Sequence, residues 1–184
     1  MQISRDNINE ILSKSDIHPS KDYGQNFLVE TNVSKSIVDK LLVCQNDYVL
    51  EIGPGLGSLS HYLCNSDSKC DLVDIDKRMI DFLTIHYKDN SNVKLIENDI
   101  RKHDVSSYTK ILGNLPYNIT TDTIIYLAKN AKKCKKMVLM CQSEAFAHFF
   151  DISGKEYGPG SILLHLIGSI KREFSVKPGS FYPA

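Results

Sequence analysis

The 184-residue sequence has no net charge, no Cys-x-x-Cys pair, no internal repeat and no long apolar run, and each absence excludes a class of protein. Lysine plus arginine and aspartate plus glutamate number 22 each, which leaves no supercharged or disordered tail to explain. The five cysteines, at 44, 64, 70, 134 and 141, are odd in number and lack the spacing of a zinc ribbon or a disulfide framework, so a reducing compartment is expected. The six histidines, at 18, 61, 86, 103, 148 and 165, show no metal-ligand spacing, and no metal is expected. No apolar run approaches the roughly 18 residues of a spanning helix, and acids stand where a secretory leader would be basic. These features together predict a soluble, cytoplasmic protein with no membrane partner.

What is present fits one globular domain, with 42% apolar and 24% charged residues. The charge is uneven: residues 1–92 carry a net −5 and residues 93–184 a net +5. That division suits either a domain facing a small neutral or cationic ligand on one side and a polyanion on the other, or ordinary surface charge. Amphipathic patterns predict helices over 4–14 and 31–43, separated by a polar loop from Asp22 to Leu28. From residue 48 the rhythm changes. Apolar runs at 48–52, 70–75, 93–97, 110–114 and 137–141 alternate with helix-like stretches near 58–65, 77–87, 120–131 and 143–150. Strand and helix alternating in this way predict parallel strands joined by crossover helices, with helices on both faces of the sheet. Two apolar runs within 161–176, with no helix-sized insert between them, predict an antiparallel pair closing the sheet edge.

The segment Glu51-Ile52-Gly53-Pro54-Gly55-Leu56-Gly57 follows the first predicted strand of this series and opens a helix. Glycines there allow a sharp turn and close approach of the backbone to a ligand, with free N–H groups at the helix start. A dinucleotide fingerprint needs its third glycine at position 58, which is serine; the spacing is instead that of S-adenosylmethionine (SAM) loops. The next strand ends Val73-Asp74-Ile75-Asp76, with Asp74 lying 19 residues after Gly55. A carboxylate at that place accepts the two hydroxyls of a ribose, so the ribose is assigned to Asp74 and helix capping to Asp76. The third strand ends Glu97-Asn98-Asp99, where Asp99 is either the acceptor for an adenine amino group or a cap.

Gly113-Asn114-Leu115-Pro116-Tyr117-Asn118 follows the fourth strand. An exocyclic amine is a poor nucleophile because its lone pair is delocalised into the ring. The Asn114 side-chain oxygen and the Leu115 carbonyl can accept its two N–H groups and favour a pyramidal nitrogen. Pro116 fixes the turn, and Tyr117 offers a face on which an extruded base can stack.

With these residues in view, YGQNFL (23–28), EIGPGLG (51–57), VDID (73–76), ENDI (97–100), GNLPYNITT (113–121), QSEAFAHF (142–149), KEYGPGS (155–161) and PGSFYP (178–183) resemble the KsgA family of ribosomal RNA adenine dimethyltransferases in order and spacing. The resemblance implies a Rossmann-like class I SAM-dependent methyltransferase fold. It also implies dimethylation of two adjacent adenosines in small-subunit ribosomal RNA, and a role in ribosome biogenesis. By resemblance, Gln25, Asn26, Leu28, Gly53, Gly55, Asp74, Asp99 and Asn114 contact SAM, with Ile75 and Ile100 as walls for its adenine. Asn114, Leu115, Pro116 and Tyr117 form the catalytic turn, and Phe181 stacks on the target base from its other side.

The partner implied is small-subunit ribosomal RNA or an immature small subunit, met by a monomer. Residues 1–184 are expected to be the catalytic domain, with 1–47 as N-terminal helices and a cofactor-covering loop, and the family's C-terminal helical domain absent. Lysines at 129, 132, 133, 135, 136, 155, 171 and 177, with Arg172, are candidate phosphate contacts. One departure is Asp74, where the family usually has the longer glutamate. Related macrolide-resistance enzymes differ at Leu115 and Asn118, DNA adenine methyltransferases favour an acid in place of Asn114, and a noncatalytic assembly factor is the reading from a different class.

Overall fold

The structure is a computed structural model that describes residues 2–150 and 158–183. Its core is a five-stranded parallel sheet made of β2 (Tyr48–Ile52), β3 (Lys69–Asp74), β4 (Val93–Glu97), β5 (Lys110–Asn114) and β6 (Lys136–Met140), in the order β4-β3-β2-β5-β6. Strand β1 (Phe27–Leu28) stands apart and pairs antiparallel with β7 (Phe181–Tyr182). The helices are α1 (Ile8–Lys14), α2 (Thr31–Leu41), α3 (Ser60–Leu63), α4 (Lys77–Tyr87), α5 (Thr120–Asn130), α6 (Ser143–Phe150) and α7 (Pro159–Ile167). Among the described residues no helix is long and apolar enough to cross a membrane.

Alternation along the central strand divides the core. Val49 points into one apolar cluster with Leu63, Leu72, Met79 and Leu83, while Leu50 and Ile52 point into another with Val73, Ile111 and Leu127. Both faces of β2 are therefore buried, as the continuous apolar runs of the sequence require. From β2 the chain builds β3 and β4 on one side and then returns to build β5 and β6 on the other. The connections after β2 and β5 leave the sheet on either side of this reversal, which opens a crevice at the carboxyl ends of the strands.

The predicted strands at 48–52, 93–97 and 110–114 coincide with β2, β4 and β5, and β3 and β6 are each displaced by one residue. The antiparallel pair predicted within 161–176 does not form. Residues 159–167 are helix α7, started by Pro159 at its first position, and 168–177 form no regular element. Pro159 has the φ a helix start requires and no N–H to leave unpaired. The antiparallel element of the fold is instead β1 with β7. The helix predicted over 58–65 shrinks to the four residues of α3.

Two acids lie deep in the core. Asp71 accepts from Tyr48 (2.7 Å) and Tyr108 (2.8 Å), and Tyr108 in turn shares a 2.8 Å hydrogen bond with His103 Nε2. Glu51 is less well provided for: it is 1% exposed, and neither its Oε2 nor the Ser60 hydroxyl has a hydrogen-bond partner. Burial pushes the Glu51 carboxyl up to about 8, so the neutral form is the one the core holds at neutral pH.

A carboxyl whose pKa is raised on folding binds its proton more tightly in the folded state. Its contribution to stability therefore declines as pH rises from the unfolded value of 4.5 toward about 8. Glu51→Gln, neutral at every pH, should remove that decline. In urea titrations from pH 5 to pH 8 the variant should gain on the wild type by up to about 1.4 kcal/mol per pH unit. Parallel curves would show that folding does not raise the Glu51 carboxyl above its unfolded value.

Candidate active site

The glycine loop after β2 turns through left-handed backbone at Gly53, Gly55 and Gly57 (φ +63°, +55° and +90°). At Gly57 a Cβ would stand 3.0 Å from Leu83 Cδ2, so this glycine lets the loop pack down on α4. At Gly55 a Cβ would lie 3.3 Å from the Phe27 ring, which covers the loop from β1. Ser58, the residue that breaks the dinucleotide fingerprint, donates from its hydroxyl to the Leu28 carbonyl (2.6 Å) and ties the loop to β1. With α3 only four residues long, the ligand-facing surface after β2 is this loop rather than the end of a long helix.

Asp74 ends β3 beside the loop. One carboxylate oxygen accepts the Gly55 N–H (3.2 Å) and the other the Asp76 N–H (2.9 Å). Each oxygen keeps a further lone pair for a ligand hydroxyl. Burial raises the Asp74 carboxyl to about 6, the residue being only 8% exposed. Ile75 follows with 47% exposure, an apolar group free at the strand end.

Asp76 accepts the Arg78 N–H (3.0 Å) and caps α4, the role assigned to it from sequence. Burial works against its charge, but hydrogen bonds from Arg78 and Gln25 outweigh burial and hold the carboxyl below its usual range.

Asp99, after β4, caps a short 3-10 turn at Ile100–Lys102 by accepting from Arg101 N (3.0 Å). It also meets the Arg101 guanidinium through two bonds, of 3.0 and 2.7 Å, and that pairing lowers its pKa. Asp99 is thus a cap, and a carboxylate bonded to one arginine retains acceptor capacity for a ligand N–H. Ile100, by contrast, is 4% exposed within the second core cluster, so the apolar surface available to a flat ring comes from Ile75.

On the other side of β2, Asn114 ends β5. Its Nδ2 donates to the Asn26 carbonyl (3.4 Å), which turns the amide so that Oδ1 is the atom left to accept. Leu115 N donates to Met140 O (2.9 Å), and its side chain is buried. Pro116 is extended (φ −66°, ψ 147°), and Tyr117, which starts the next 3-10 turn, is 68% exposed. Its ring face is thus open to solvent at the carboxyl end of the sheet.

Phe181 sits opposite Leu28 in the β1–β7 pair, half-buried against the first cluster. Gln25, expected to touch a ligand, has its Oε1 accepting from Ser20 N (2.9 Å) and its Nε2 donating to Asp76 (2.8 Å), with a second lone pair and a second N–H to spare. Asn26 and Leu28 complete the covering segment.

The lysines are less concentrated on the site than their sequence clustering suggests. Lys136 is level with Lys110 at the amino ends of β6 and β5, and Lys135 N bonds Thr109 O (2.8 Å). Lys135 and Lys136 therefore stand at the end of the sheet opposite the crevice, with Lys132 and Lys133 in the turn that leads to them from α5, whose last turn carries Lys129. Lys155 lies outside the described residues. Among the described residues no group of histidine, cysteine, aspartate and glutamate could hold a metal ion.

The arrangement is thus a glycine loop, a carboxylate and an apolar side chain on one side of β2, facing an oriented amide and an exposed aromatic on the other. It contains no positioned nucleophile.

Comparison with known proteins agrees with this layout. The family model described as ribosomal RNA adenine dimethylase matches residues 18–184. The chain is 31% identical over 174 residues to the ribosomal RNA small subunit methyltransferase A of Malacoplasma penetrans, covering 94% of this chain and 64% of that one. It is 34% identical over 181 residues to its counterpart in Clostridium perfringens, covering 95% and 64%. The chain thus spans less than two thirds of the length of these relatives.

Among solved structures, a dimethyladenosine transferase from Plasmodium falciparum superimposes with a TM-score of 0.70 at 28% identity, over 76% of this chain and 52% of that one. The 23S rRNA methyltransferase ErmE shares the fold, with a TM-score of 0.59 at 24% identity over 67% and 50% of the two chains. Parallel sheet, glycine loop, strand-end acids and the Asn114–Tyr117 turn all fall within the matched span, and the chain belongs to the ribosomal RNA adenine dimethylase family.

Proposed function

We propose that this chain transfers methyl groups from SAM to the exocyclic N6 amine of two adjacent adenosines in small-subunit ribosomal RNA, acting as a monomer in the cytoplasm. Residues 1–184 form its catalytic domain, with 1–47 supplying the helices and segment that cover the cofactor. The observation that carries the reading is the Asn114-Leu115-Pro116-Tyr117 turn across β2 from Asp74 and the glycine loop. In that position an amine acceptor and a stacking aromatic face a nucleoside-binding crevice.

The residues present fit SAM. Asp74 keeps lone pairs for a ribose, Gly55 leaves space beside the Phe27 ring, Ile75 offers an apolar face, and the acids Asp74 and Asp99 complement a cation. Bound there, SAM supplies an electrophilic methyl group. The chain's own part is positional: Asn114 Oδ1 and the Leu115 carbonyl accept the amine's two N–H groups, and Tyr117 and Phe181 hold the base between them. No strong general base is needed, because the methylated ammonium loses its proton to water. The lysines at the far end of the sheet suit phosphates of an RNA large enough to reach both ends, and an immature small subunit is such a partner.

Tyr117→Ala should leave SAM affinity nearly unchanged and slow methyl transfer, since stacking is worth about 1–3 kcal/mol per base. Asn114→Ala should lose more, because the amine then has no side-chain acceptor. Labelled-methyl transfer to small-subunit RNA, set beside calorimetric SAM titration, checks both; wild-type rates in both variants would remove the base pocket from this turn.

The raised pKa of Asp74 gives a second expectation. Ribose hydroxyls bind the ionised carboxylate, which is lost as pH falls through about 6. SAM affinity should therefore be constant above pH 7 and weaken by up to about tenfold per pH unit well below 6. Asp74→Asn should bind more weakly at neutral pH and lose that dependence. A wild-type profile flat to pH 5 would move the ribose contact away from Asp74.

A further inference from the structure

The segment 18–26 joins α1 to β1 and is anchored at both ends of a path that crosses the glycine loop. Its first anchor is Asp76, on the β3 side. Beyond capping α4, the Asp76 carboxylate accepts Gln25 Nε2 (2.8 Å), Arg78 Nε (2.9 Å) and Arg78 Nη2 (2.6 Å). Arg78 Nη1 then donates to the His18 carbonyl (3.2 Å). Gln25 closes the segment on itself by accepting from Ser20 N (2.9 Å) and donating its own N–H to Ser20 O (3.0 Å).

The second anchor is the turn after β5. Asn118 Nδ2 donates to Asp22 O (3.3 Å), Asn114 Nδ2 to Asn26 O (3.4 Å), and a Cβ on Gly24 (φ +59°) would meet Pro116 Cβ at 3.2 Å. Because β2 lies between β3 and β5, a segment tied to both neighbours spans the crevice.

Capping a helix uses one of the four hydrogen bonds that Asp76 accepts. Two more orient Arg78 toward the segment, and the last grips Gln25 directly. We propose that Asp76 is a positioning residue for methyl transfer: through Gln25 and Arg78 it pins residues 18–26 as a strap over the cofactor crevice. The strap in turn presents the Asn26 carbonyl that fixes the Asn114 amide. A loosened clamp acts twice, once on retention of the cofactor and once on the orientation of the amine acceptor. The inference rests on the methyltransferase reading above.

The test exploits hydrogen-bond polarity. Asp76→Asn keeps a good cap at Oδ1, since asparagine caps as well as aspartate, but its amide replaces the Oδ2 that accepts both Gln25 Nε2 and Arg78 Nη2 and so turns a donor toward two donors. Calorimetric titration with S-adenosylhomocysteine should show affinity reduced about tenfold, the loss of a charge-assisted hydrogen bond. Trypsin should cut after Lys21 faster in the ligand-free protein, and methyl transfer should show a raised KM for SAM together with a lowered kcat. Adding Gln25→Glu restores an acceptor opposite the new amide and should return binding, cleavage rate and both kinetic constants toward wild type. Gln25→Ala, which leaves α4 and the Arg78 fork untouched, should show the same defects in the same direction but to a smaller extent.

A purely structural cap would not be rescued from position 25. The proposal falls if Asp76→Asn binds and is cut like the wild type, or if Gln25→Glu fails to restore what Asp76→Asn loses. If wild-type protein itself does not bind S-adenosylhomocysteine, the methyltransferase reading fails first, and the inference with it.

Discussion

The parallel pairing of β2 with a strand on each side is the constraint on which the rest of the molecule depends. Ile52 lies level with Val73 on one side and Gly113 on the other, so the ends of three strands stop at the same height. That common height brings the glycine loop, Asp74 and Asn114 within reach of one ligand. Gly113 is part of the same arrangement, for a Cβ there would press within 3.1 Å of Ile52 Cβ and push β5 away. The functional side chains thus inherit their positions from main-chain hydrogen bonds that are indifferent to which residues they carry.

Two acids, Asp74 and Asp76, illustrate how environment divides labour between identical groups two residues apart. Asp74 meets only backbone N–H donors, and burial prevails over them. Asp76 is as well hidden, at 4% exposure, but a guanidinium fork lies against it and keeps it ionised. A carboxylate that stays charged makes a dependable anchor, and one that titrates close to neutrality is free to respond to a ligand. Asp99 belongs with Asp76 in this respect, since Arg101 pairs with it at 2.7 Å.

How much of this was legible in the sequence depends on the range of the interaction concerned. Strands buried on both faces write continuous apolar runs, and β2, β4 and β5 were readable to the residue for that reason. The glycine loop and the Asn114–Tyr117 turn were equally visible, because their chemistry is carried by adjacent residues. The segment 159–167 misled because Ile162, Leu163, Leu164, Leu166 and Ile167 form a short apolar stretch in which strand and helix share one signature. The commitment of Gln25 to Asp76 was beyond reading, as its partner lies 51 positions away, and so was the anchoring of Leu28 by Ser58. The lysines were legible as a basic cluster, but not which end of the sheet they occupy, since that is set by the pairing of β6 with β5.

The pairing of β1 with β7 joins positions separated by more than 150 residues, Leu28 with Phe181 and Phe27 with Tyr182. Phe27 is the ring that lies over Gly55, so the covering of the crevice rests on a pairing of high sequence separation. The strands of the parallel sheet are complete by residue 140. The cover over the glycine loop is therefore a long-range closure laid on a sheet of nearer neighbours, and its formation costs the ordering of the whole intervening chain.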